Sequence, residues 1–406
     1  MTNMSSDEEE ILILDSTQLI MNNLTDTQET PNRCICSCLL TIVLSFYSIC
    51  RTILRILFVI TNNLYCIPTY CVWMLIFTPL KRYHPDLYWR IEGTFFHWLL
   101  AMVSMWSWSA GYDIVEVGDD IRLCLEDRTL VIANHQSTAD VPMLMATFNP
   151  KFGVLPQIMW IMDRVFKFTN FGIVSILHKD FFILSGKDCR EDAVQKLKKH
   201  LQDSYIPLRR KLMVLFPEGG FLRKRREASK RYALKNNLPV LNNVSLPRLG
   251  AMQAIIDVMG ANKEVAKLNS ANNISGGDIA GAELTWILDI TIAYPDGKPL
   301  DLPTIITGWR KPCQTFLFYR LYPSRQVPTQ SEEMSKWLFT RWEEKERILS
   351  TFYSTGEIPV NDYCSSSIPA QTIKQDPVRF LLIHMFFITS SYIHFRLFTF
   401  LYTLMC

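Results

Sequence analysis

A long uncharged run near the amino terminus constrains this chain more than any other feature of its sequence. No charged residue occurs from Ile56 to Leu80, a stretch of 25 residues. As a helix it is about 37 Å long, enough to cover the hydrocarbon core of a bilayer. Pro68 lies inside this run and is expected to kink the helix. The sequence therefore predicts a membrane-spanning helix.

A second uncharged run, Cys34 to Cys50, is separated from the first by Arg51 and Arg55. Long cationic side chains reach the interface from within a helix, so the two runs form either a hairpin or one spanning helix preceded by an interfacial one. We assign residues 34–82 to membrane segments. The preceding tail, residues 1–33, is predicted to be disordered, because its first 31 residues carry seven acids and no Lys or Arg.

The carboxyl terminus is apolar as well. Phe380 to Phe395 and Leu397 to Cys406 are interrupted only by Arg396, so residues 378–406 are predicted to span the membrane or to lie in its surface as a helix. The mean hydropathy of +0.09 is too high for an ordinary soluble enzyme and too low for a protein built mostly of spans. A globular body with membrane segments is expected.

One more apolar segment, Thr94 to Ala110, carries Trp and Met side chains at helical spacing. It is either a core helix or a helix at the lipid surface that helps to enclose an acyl chain.

Between the membrane segments, residues 84–360 alternate short strands with polar helices, which predicts an α/β domain around a mostly parallel sheet. Its Gly-, Ser- and Asn-rich residues 260–281 are expected to form a mobile loop. The predicted helices are Glu191 to Asp203 and Glu333 to Tyr353. The predicted strands are Tyr112 to Val117, Arg128 to Ala133, Leu212 to Phe216, Pro239 to Leu246, Trp286 to Tyr294 and Thr315 to Tyr322.

The sequence Asn134-His135-Gln136-Ser137-Thr138-Ala139-Asp140 joins a predicted strand to an apolar helical run. It places His135 at the carboxyl end of a strand, where α/β sheets bind their ligands. Asp140 follows in the first turn of the helix, close enough to accept a hydrogen bond from the imidazole. An alcohol needs a base that takes its proton as it attacks, and a His paired with Asp supplies one. We therefore predict His135 as a general base that Asp140 orients.

A second motif, Phe216-Pro217-Glu218-Gly219-Gly220, ends another predicted strand and is followed at once by four basic residues. Gly219 and Gly220 let the backbone approach a ligand closely. Glu218 either accepts hydrogen bonds from a polar head group or positions its neighbours. The motif lies within Lys196 to Lys235, where thirteen basic residues face three acids, and this charge indicates an anionic partner.

Other interpretations of the basic stretch are a solvated helix face and a general membrane patch. Nucleic acid is not favoured, because no known binding motif accompanies the charge. The cysteines show neither a disulfide framework nor zinc spacing, and no metal site is predicted.

Asn-His-x-x-x-x-Asp, followed about eighty residues later by Phe-Pro-Glu-Gly, resembles the glycerolipid acyltransferases that use acyl-CoA or acyl-carrier protein. The resemblance covers roughly Ile56 to Pro359. It implies an acyltransferase-type α/β domain in which Glu218 and Gly219 belong to the acceptor or phosphate site. Asn134, beside the catalytic pair, is also predicted to bind substrate. Pro239 and the stretch ending in Arg248 look like the family's last motif, near the acyl-CoA pocket.

Two departures from the family pattern affect the phosphate site. The family usually continues Glu-Gly-Thr-Arg, whereas Gly220 and Phe221 stand here, so the phosphate-binding arginine must come from elsewhere, with Arg223 as the candidate. Family members also tend to have Arg where this chain has Leu184. The resemblance offers Lys187 or Arg190 as substitutes. Asp180 to Ile183 then belong to the family motif that this arginine completes, or to a plain edge strand or loop.

The resemblance implies an enzyme that transfers a fatty acyl group from acyl-CoA to a free hydroxyl of a lysophospholipid. Lysophosphatidylglycerol, lysophosphatidylethanolamine and monoacylglycerol are the acceptors considered, and no cofactor beyond the acyl-CoA substrate is expected. A serine esterase is disfavoured because Gly-x-Ser-x-Gly is absent from the sequence. A catalytically silent lipid-binding scaffold is the alternative from another class.

Cytosolic acyl-CoA favours a cytosol-facing site on the endoplasmic reticulum membrane. Three sequons, at Asn23, Asn243 and Asn273, test this expectation, because a glycan on either of the last two would place the domain in the lumen.

Overall fold

The computed structural model describes residues 31–184, 186, 190–260, 283–364 and 367–405. The predicted disordered tail, apart from residues 31–33, and nearly all of the predicted loop 260–281 lie outside these ranges. The chain divides into two compact units, residues 1–54 and 55–406. In the described part of the first unit, residues 31–54 are helical, and the apolar side chains from Leu40 to Leu54 are largely exposed.

Eight strands form one sheet in the order β4-β3-β5-β2-β6-β7-β1-β8, and five of its seven pairings are parallel. The α/β fold with a mostly parallel sheet is therefore confirmed. The strands are β1 Tyr112–Gly118, β2 Thr129–Ala133, β3 Ile158–Asp163, β4 Phe181–Ile183, β5 Leu212–Leu215, β6 Trp286–Ala293, β7 Cys313–Pro323 and β8 Ile368–Thr372.

The described residues also form eleven α-helices. They are α1 Pro31–Ile76, α2 Thr78–Tyr83, α3 Pro85–Trp108, α4 Asp140–Phe148, α5 Gly172–His178, α6 Arg190–His200, α7 Leu222–Lys235, α8 Gly250–Met259, α9 Leu302–Thr307, α10 Ser331–Thr355 and α11 Pro377–Met405.

Both faces of the sheet are covered by helices, because successive side chains of a strand point to opposite faces. In β2, Val131 and Ala133 belong to one core, with side chains of α3, α4 and α11. Leu130 and Ile132 belong to the second core, with α6, α8 and α10. Burial on both faces explains why all five residues of β2 are apolar or hydrogen-bonded and none is exposed.

Two helical stretches, Leu40–Ile76 and Pro377–Met405, are long and apolar enough to cross a membrane. The hairpin alternative for the amino-terminal runs is wrong, since α1 continues through Arg51, Arg55 and Pro68. The apolar segment at 94–110 is mainly a core helix, because most side chains of α3 from Phe95 onward are buried.

Arg55 shows how α1 accommodates a charge within an apolar stretch. Its guanidinium donates to the carbonyl oxygens of Trp106 at 2.8 Å and Ser109 at 2.9 Å, at the end of α3. It also donates to the carbonyls of Ile305 at 3.0 Å and Ile306 at 3.1 Å, near the end of α9. The last carbonyls of a helix lack intrahelical donors, so the arginine satisfies two helix ends at once.

The predicted strand Pro239 to Leu246 is wrong, since residues 239–246 are all described and contain no strand. Their backbone bonds to carboxylates instead. The amides of Asn242, Asn243 and Val244 donate to Glu346 of α10 at 3.0, 2.7 and 3.2 Å. Although the segment is rich in β-forming residues, its backbone amides find their hydrogen-bond partners outside the sheet.

The sequence patterns missed β3 and β8, and left β4 undecided between an edge strand and a loop. β4 is an edge strand of three residues that pairs with β3. The buried side chain of Asp180 just before it accepts a hydrogen bond from the amide of Trp160 at 2.9 Å. This contact joins the start of β4 to β3, so Asp180 has a structural contact in the described residues.

A buried ion pair joins α10 to the centre of the sheet. The Nζ of Lys345 contacts Asp289 of β6 and donates to the carbonyl oxygen of Ile290 at 2.6 Å, and both charged side chains are almost fully buried. Because each charge is removed from water, each depends on the other for compensation.

Lys345→Ala is expected to lower the free energy of unfolding by about 3–5 kcal/mol, since it leaves Asp289 buried without its cation. Lys336→Ala is the matched control in the same helix, where Lys336 forms an exposed pair with Glu332. That change is expected to leave the melting temperature nearly unaltered. Thermal unfolding in detergent compares the two variants, and equal losses would contradict the prediction.

Candidate active site

The two residues predicted as base and orienting acid lie in direct contact. His135 follows the carboxyl end of β2, and Asp140 is the first residue of α4. The Nδ1 of His135 lies 2.8 Å from Oδ2 of Asp140, whose side chain is fully buried, whereas the histidine is 9% exposed. The short turn between strand and helix therefore places the imidazole at the sheet edge and the carboxylate behind it.

Asp140 is fixed by three further donors. Its Oδ2 accepts hydrogen bonds from the amides of Gln136 at 2.7 Å and Ser137 at 2.9 Å, and its Oδ1 accepts from the hydroxyl of Tyr294 at 2.7 Å. Burial, and then the charge of Asp140, raise the pKa of the Tyr294 hydroxyl, which keeps it a donor. Tyr294 directly follows β6, so a second strand holds the carboxylate in place.

These contacts assign the roles of the two imidazole nitrogens. Because an ionised carboxylate only accepts hydrogen bonds, Nδ1 carries a proton toward Asp140. Nε2 then holds the lone pair, and it has no hydrogen-bond partner among the residues that the structure describes. A neutral histidine in this tautomer presents a base to whatever enters the site.

Two phenylalanines border the imidazole. The ring of Phe216 stacks on it with centroids 4.1 Å apart, and Phe221 meets it edge-on at 4.4 Å. Phe216 begins the Phe-Pro-Glu-Gly-Gly motif and Phe221 directly follows it, so this motif meets His135 itself. The rings limit rotation of the imidazole and exclude water from two of its sides.

Glu218 lies beneath the site and is fully buried. Its Oε1 accepts hydrogen bonds from the amide of His135 at 3.0 Å and the indole of Trp342 at 3.3 Å. Its Oε2 accepts from the amide of Ser245 at 3.1 Å and its hydroxyl at 2.5 Å. Of the two predicted roles, head-group contact and positioning of neighbours, this geometry favours the second.

Asn134, which was expected to bind substrate, also bonds to the backbone and so positions its neighbours. Its side-chain amide donates to the carbonyl oxygen of Ile292 at 3.1 Å, and its side-chain oxygen accepts from the amide of Ile292 at 2.7 Å. The side chain is fully buried. It continues the pairing of β2 with β6 by one residue, directly before His135.

Arginines surround the glycine turn. Gly219 and Gly220 have φ values of +67° and +152°, which disfavour other residues. A Cβ on Gly219 would meet the guanidinium of Arg248 at 3.2 Å, and one on Gly220 would meet the Arg225 side chain at 3.3 Å. Burial, and then the nearby charges of Arg225 and Arg190, lower the pKa of Arg248. The missing side chains therefore leave room for two arginines against the turn.

We call Arg190, Arg225 and Arg248 the arginine cluster. Among the described residues, none of the three has a carboxylate within 4.0 Å. Arg248 is repelled by the other two guanidinium groups, and with no acidic partner among the residues that the structure describes, the three favour an anion among them. A phosphate oxygen fits their planar donors and the close backbone of the turn.

The remaining predicted ligand residues are less well placed. Arg223, the predicted substitute for the family arginine, is exposed on α7, whereas Arg225 lies at the glycine turn. Pro239 is exposed in the non-strand segment, and Lys187 lies outside the described residues. Arg190, the other candidate to replace the family arginine missing at Leu184, belongs to the arginine cluster. Arg225 lies at the glycine turn in place of Arg223 because residues two apart on α7 point in different directions.

Burial raises the pKa of Glu218 from 4.5 to about 7, against the hydrogen bonds from Ser245 and His135 that lower it. Between these values the folded protein binds a proton that the unfolded chain releases. The contribution of Glu218 to stability is therefore present below pH 4.5 and is lost as the pH rises through about 7.

Glu218→Gln is expected to remove this part of the pH dependence. The unfolding midpoint in detergent, measured across this range, should fall less steeply with pH than in the unaltered protein. Glu227→Gln makes the same change on the exposed surface of α7 and serves as the control. Identical slopes for the unaltered protein and Glu218→Gln would contradict the assignment.

Two family models match parts of this chain. A family model described as "Acyltransferase" matches residues 115–257, which include both motifs, and one described as "Acyltransferase C-terminus" matches residues 304–388. A solved structure, the 1-acyl-sn-glycerophosphate (LPA) acyltransferase PlsC from Thermotoga maritima, aligns with 76% of this chain and 97% of that protein, at 14% identity and a TM-score of 0.42.

Two curated relatives are similar over most of their length. Acyl-CoA:lysophosphatidylglycerol acyltransferase 1 from Mus musculus is 45% identical over 77% of this chain and 84% of the relative. The protein of the same name from Homo sapiens is 41% identical over 87% of this chain and 95% of the relative. On this similarity, the chain belongs to the acyltransferase family that contains these two lysophosphatidylglycerol acyltransferases.

Proposed function

We propose that this protein transfers a fatty acyl group from acyl-CoA to a free hydroxyl of a lysophospholipid, with lysophosphatidylglycerol as the leading acceptor. One observation carries the proposal: Nε2 of His135, which has no hydrogen-bond partner among the described residues and is backed by the Asp140 contact at 2.8 Å, lies at the same sheet edge as the arginine cluster. A base for the hydroxyl and a site for a phosphate are thus provided together. The names of the two relatives support the donor and the acceptor.

The transfer is proposed as one direct displacement. As the acceptor hydroxyl attacks the thioester carbonyl, its proton passes to Nε2 of His135, and Asp140 stabilises the resulting imidazolium. The tetrahedral intermediate then expels the CoA thiolate, which takes up the proton. Ser137 is not the nucleophile, because its hydroxyl contacts the carbonyl oxygen of Leu300 and accepts the amide of Ala139 at 3.1 Å.

The arginine cluster is proposed to bind the phosphodiester of the acceptor. This choice favours a lysophospholipid over monoacylglycerol, which carries no phosphate. Arg248 and Arg225 approach the glycine turn of the motif whose Phe216 stacks on the imidazole, so this one motif joins the phosphate site to the base. No metal or cofactor takes part in this scheme, and activity is expected to survive chelation.

We propose that the enzyme is anchored in the endoplasmic reticulum membrane with its site facing the cytosol, where acyl-CoA is found. The side-chain amide of the Asn243 sequon is already engaged in the folded protein. It donates to Glu346 at 3.1 Å and to Ser350 at 2.8 Å, and the sequon's Ser245 is buried. A glycan on Asn243 is incompatible with these contacts.

His135→Ala is expected to lower kcat/KM by about 100-fold to 10,000-fold, because the hydroxyl loses its base. Tyr294→Phe removes one hydrogen bond to Asp140 and is expected to lower kcat by roughly tenfold. His84→Ala, at an exposed histidine, is the control and should keep full activity. A purified-enzyme assay with acyl-CoA and lysophosphatidylglycerol measures all three. Full activity in His135→Ala would exclude the mechanism, and no transfer by the unaltered protein would favour a lipid-binding scaffold.

Arg225→Gln and Arg248→Gln are each expected to raise KM for lysophosphatidylglycerol by roughly tenfold, the loss of one charge-assisted hydrogen bond. KM for monoacylglycerol should stay unchanged, because that acceptor has no phosphate. Arg231→Gln makes the same change at an exposed position of α7 and is the control. A higher KM for acyl-CoA in place of the acceptor would reassign the cluster to the phosphates of CoA.

A further inference from the structure

The connection from β3 to α5 presents apolar side chains to solvent. None of the residues in its 3-10 helix, Arg164–Phe168, is buried. Val165 is 71% exposed and Phe168 is 80% exposed. Ile173 and Ile176 of α5 are exposed as well. Each such side chain forgoes about 1.5–3 kcal/mol that burial would provide, so a cluster of them indicates a contact surface. We call residues 164–176 the β3–α5 segment.

Local contacts hold the β3–α5 segment in shape. Asp163 accepts the amide of Val165 at 3.0 Å, and the hydroxyl of Thr169 donates to the carbonyl of Phe166 at 2.7 Å. A Cβ on Gly172 would lie 2.2 Å from the carbonyl oxygen of Lys167, so the chain closes tightly on this glycine. The exposed rings are therefore presented by an ordered turn.

The segment continues the apolar surface of a candidate membrane helix. Asn170 and five residues of α1 line a cavity of about 430 Å³. The α1 residues are Ile60, Asn63, Leu64, Ile67 and Pro68. Leu64 is 70% exposed beside it. All of these α1 residues lie within Leu40–Ile76, a stretch apolar enough to cross a bilayer. The segment thus adjoins the candidate membrane helix at Asn170.

Charge complements this apolar surface. Arg164 and Lys167 are exposed between the apolar residues, and within the described part of the chain neither has a carboxylate within 4.0 Å. Aromatic and aliphatic side chains interleaved with cations match the interface of a phospholipid leaflet, with its apolar chains below its phosphates. A protein partner would not require continuity with a membrane helix.

The position of the segment relates it to the active site. β3 runs parallel to β5, and β5 to β2, so the segment after β3 and His135 after β2 leave the same edge of the sheet. Phe152, in contrast, lies between α4 and β3, at the opposite edge. A membrane contact through the segment would bring the active-site edge toward the lipid.

We propose that the β3–α5 segment inserts into one leaflet of the bilayer, with Val165 and Phe168 among the upper acyl chains and Arg164 and Lys167 at the lipid phosphates. The residues of this surface lie outside the two candidate spans. Their insertion sets how deep in the bilayer the active-site edge of the sheet lies. If the proposed function holds, a lysophospholipid reaches His135 without leaving the leaflet.

Photocrosslinking in vesicles tests the insertion. The full chain, with p-benzoylphenylalanine in place of Phe168, is reconstituted in radiolabelled phosphatidylcholine containing phosphatidylglycerol and is irradiated. A covalent lipid adduct several-fold stronger than that from the same substitution at Phe152 is expected. Phe152 is the matched control because it is a phenylalanine that is 96% exposed at the other sheet edge.

Val165 provides a second position if the variant at Phe168 does not fold, and the same excess of lipid adduct is expected there. An adduct no stronger than that from Phe152, or crosslinks to protein in place of lipid, would overturn the proposal. Because the readout is a lipid adduct and not turnover, it is independent of whether the proposed acyl transfer is correct.

Discussion

The hydrogen bond from His135 to Asp140 depends on three pieces of the fold at once. β2 delivers the histidine, the first turn of α4 delivers the carboxylate, and Tyr294 after β6 fixes the second carboxylate oxygen. Asn134 adds a link between β2 and β6 through Ile292. A shift of either strand would therefore change the direction of the imidazole, and the sheet acts as the frame on which the base is held.

Buried carboxylates organise the rest of the site in the same way. Glu218 accepts backbone amides from His135 and Ser245, and Glu346 accepts those of the segment just before Ser245. Trp342 and Glu346 both belong to α10, so this helix supports Glu218 and the segment before Ser245. Fixed acceptors replace sheet pairing where the chain must curve around a ligand.

The site combines an apolar surface with a cationic one, as a lipid substrate requires. Phe216 and Phe221 flank the base, and the arginine cluster lies at the adjoining glycine turn. Because an acyl chain and a phosphate have opposite solvation, one ligand that carries both is oriented by these two surfaces. The β3–α5 segment, with its exposed apolar side chains, leaves the same edge of the sheet.

The sequence by itself determined the features encoded within a few residues. Asp140 is five residues from His135 across one turn, so their contact followed from spacing, and the apolar runs were long enough to identify both candidate spans. Most strands were visible as β-rich stretches, but the segment at 239–246 was not a strand, because distant Glu346 and Glu218 took its amides.

Only the tertiary structure decided which distant residues meet at the site. Tyr294 reaches Asp140 from another strand, and Arg248 packs over Gly219 from the next loop, and neither pairing leaves a local pattern in the sequence. The choice of Arg225 over Arg223 depended on how α7 is rotated against the glycine turn. Such contacts follow from strand order and helix packing, which join residues far apart in the chain, and local spacing carries no information about them.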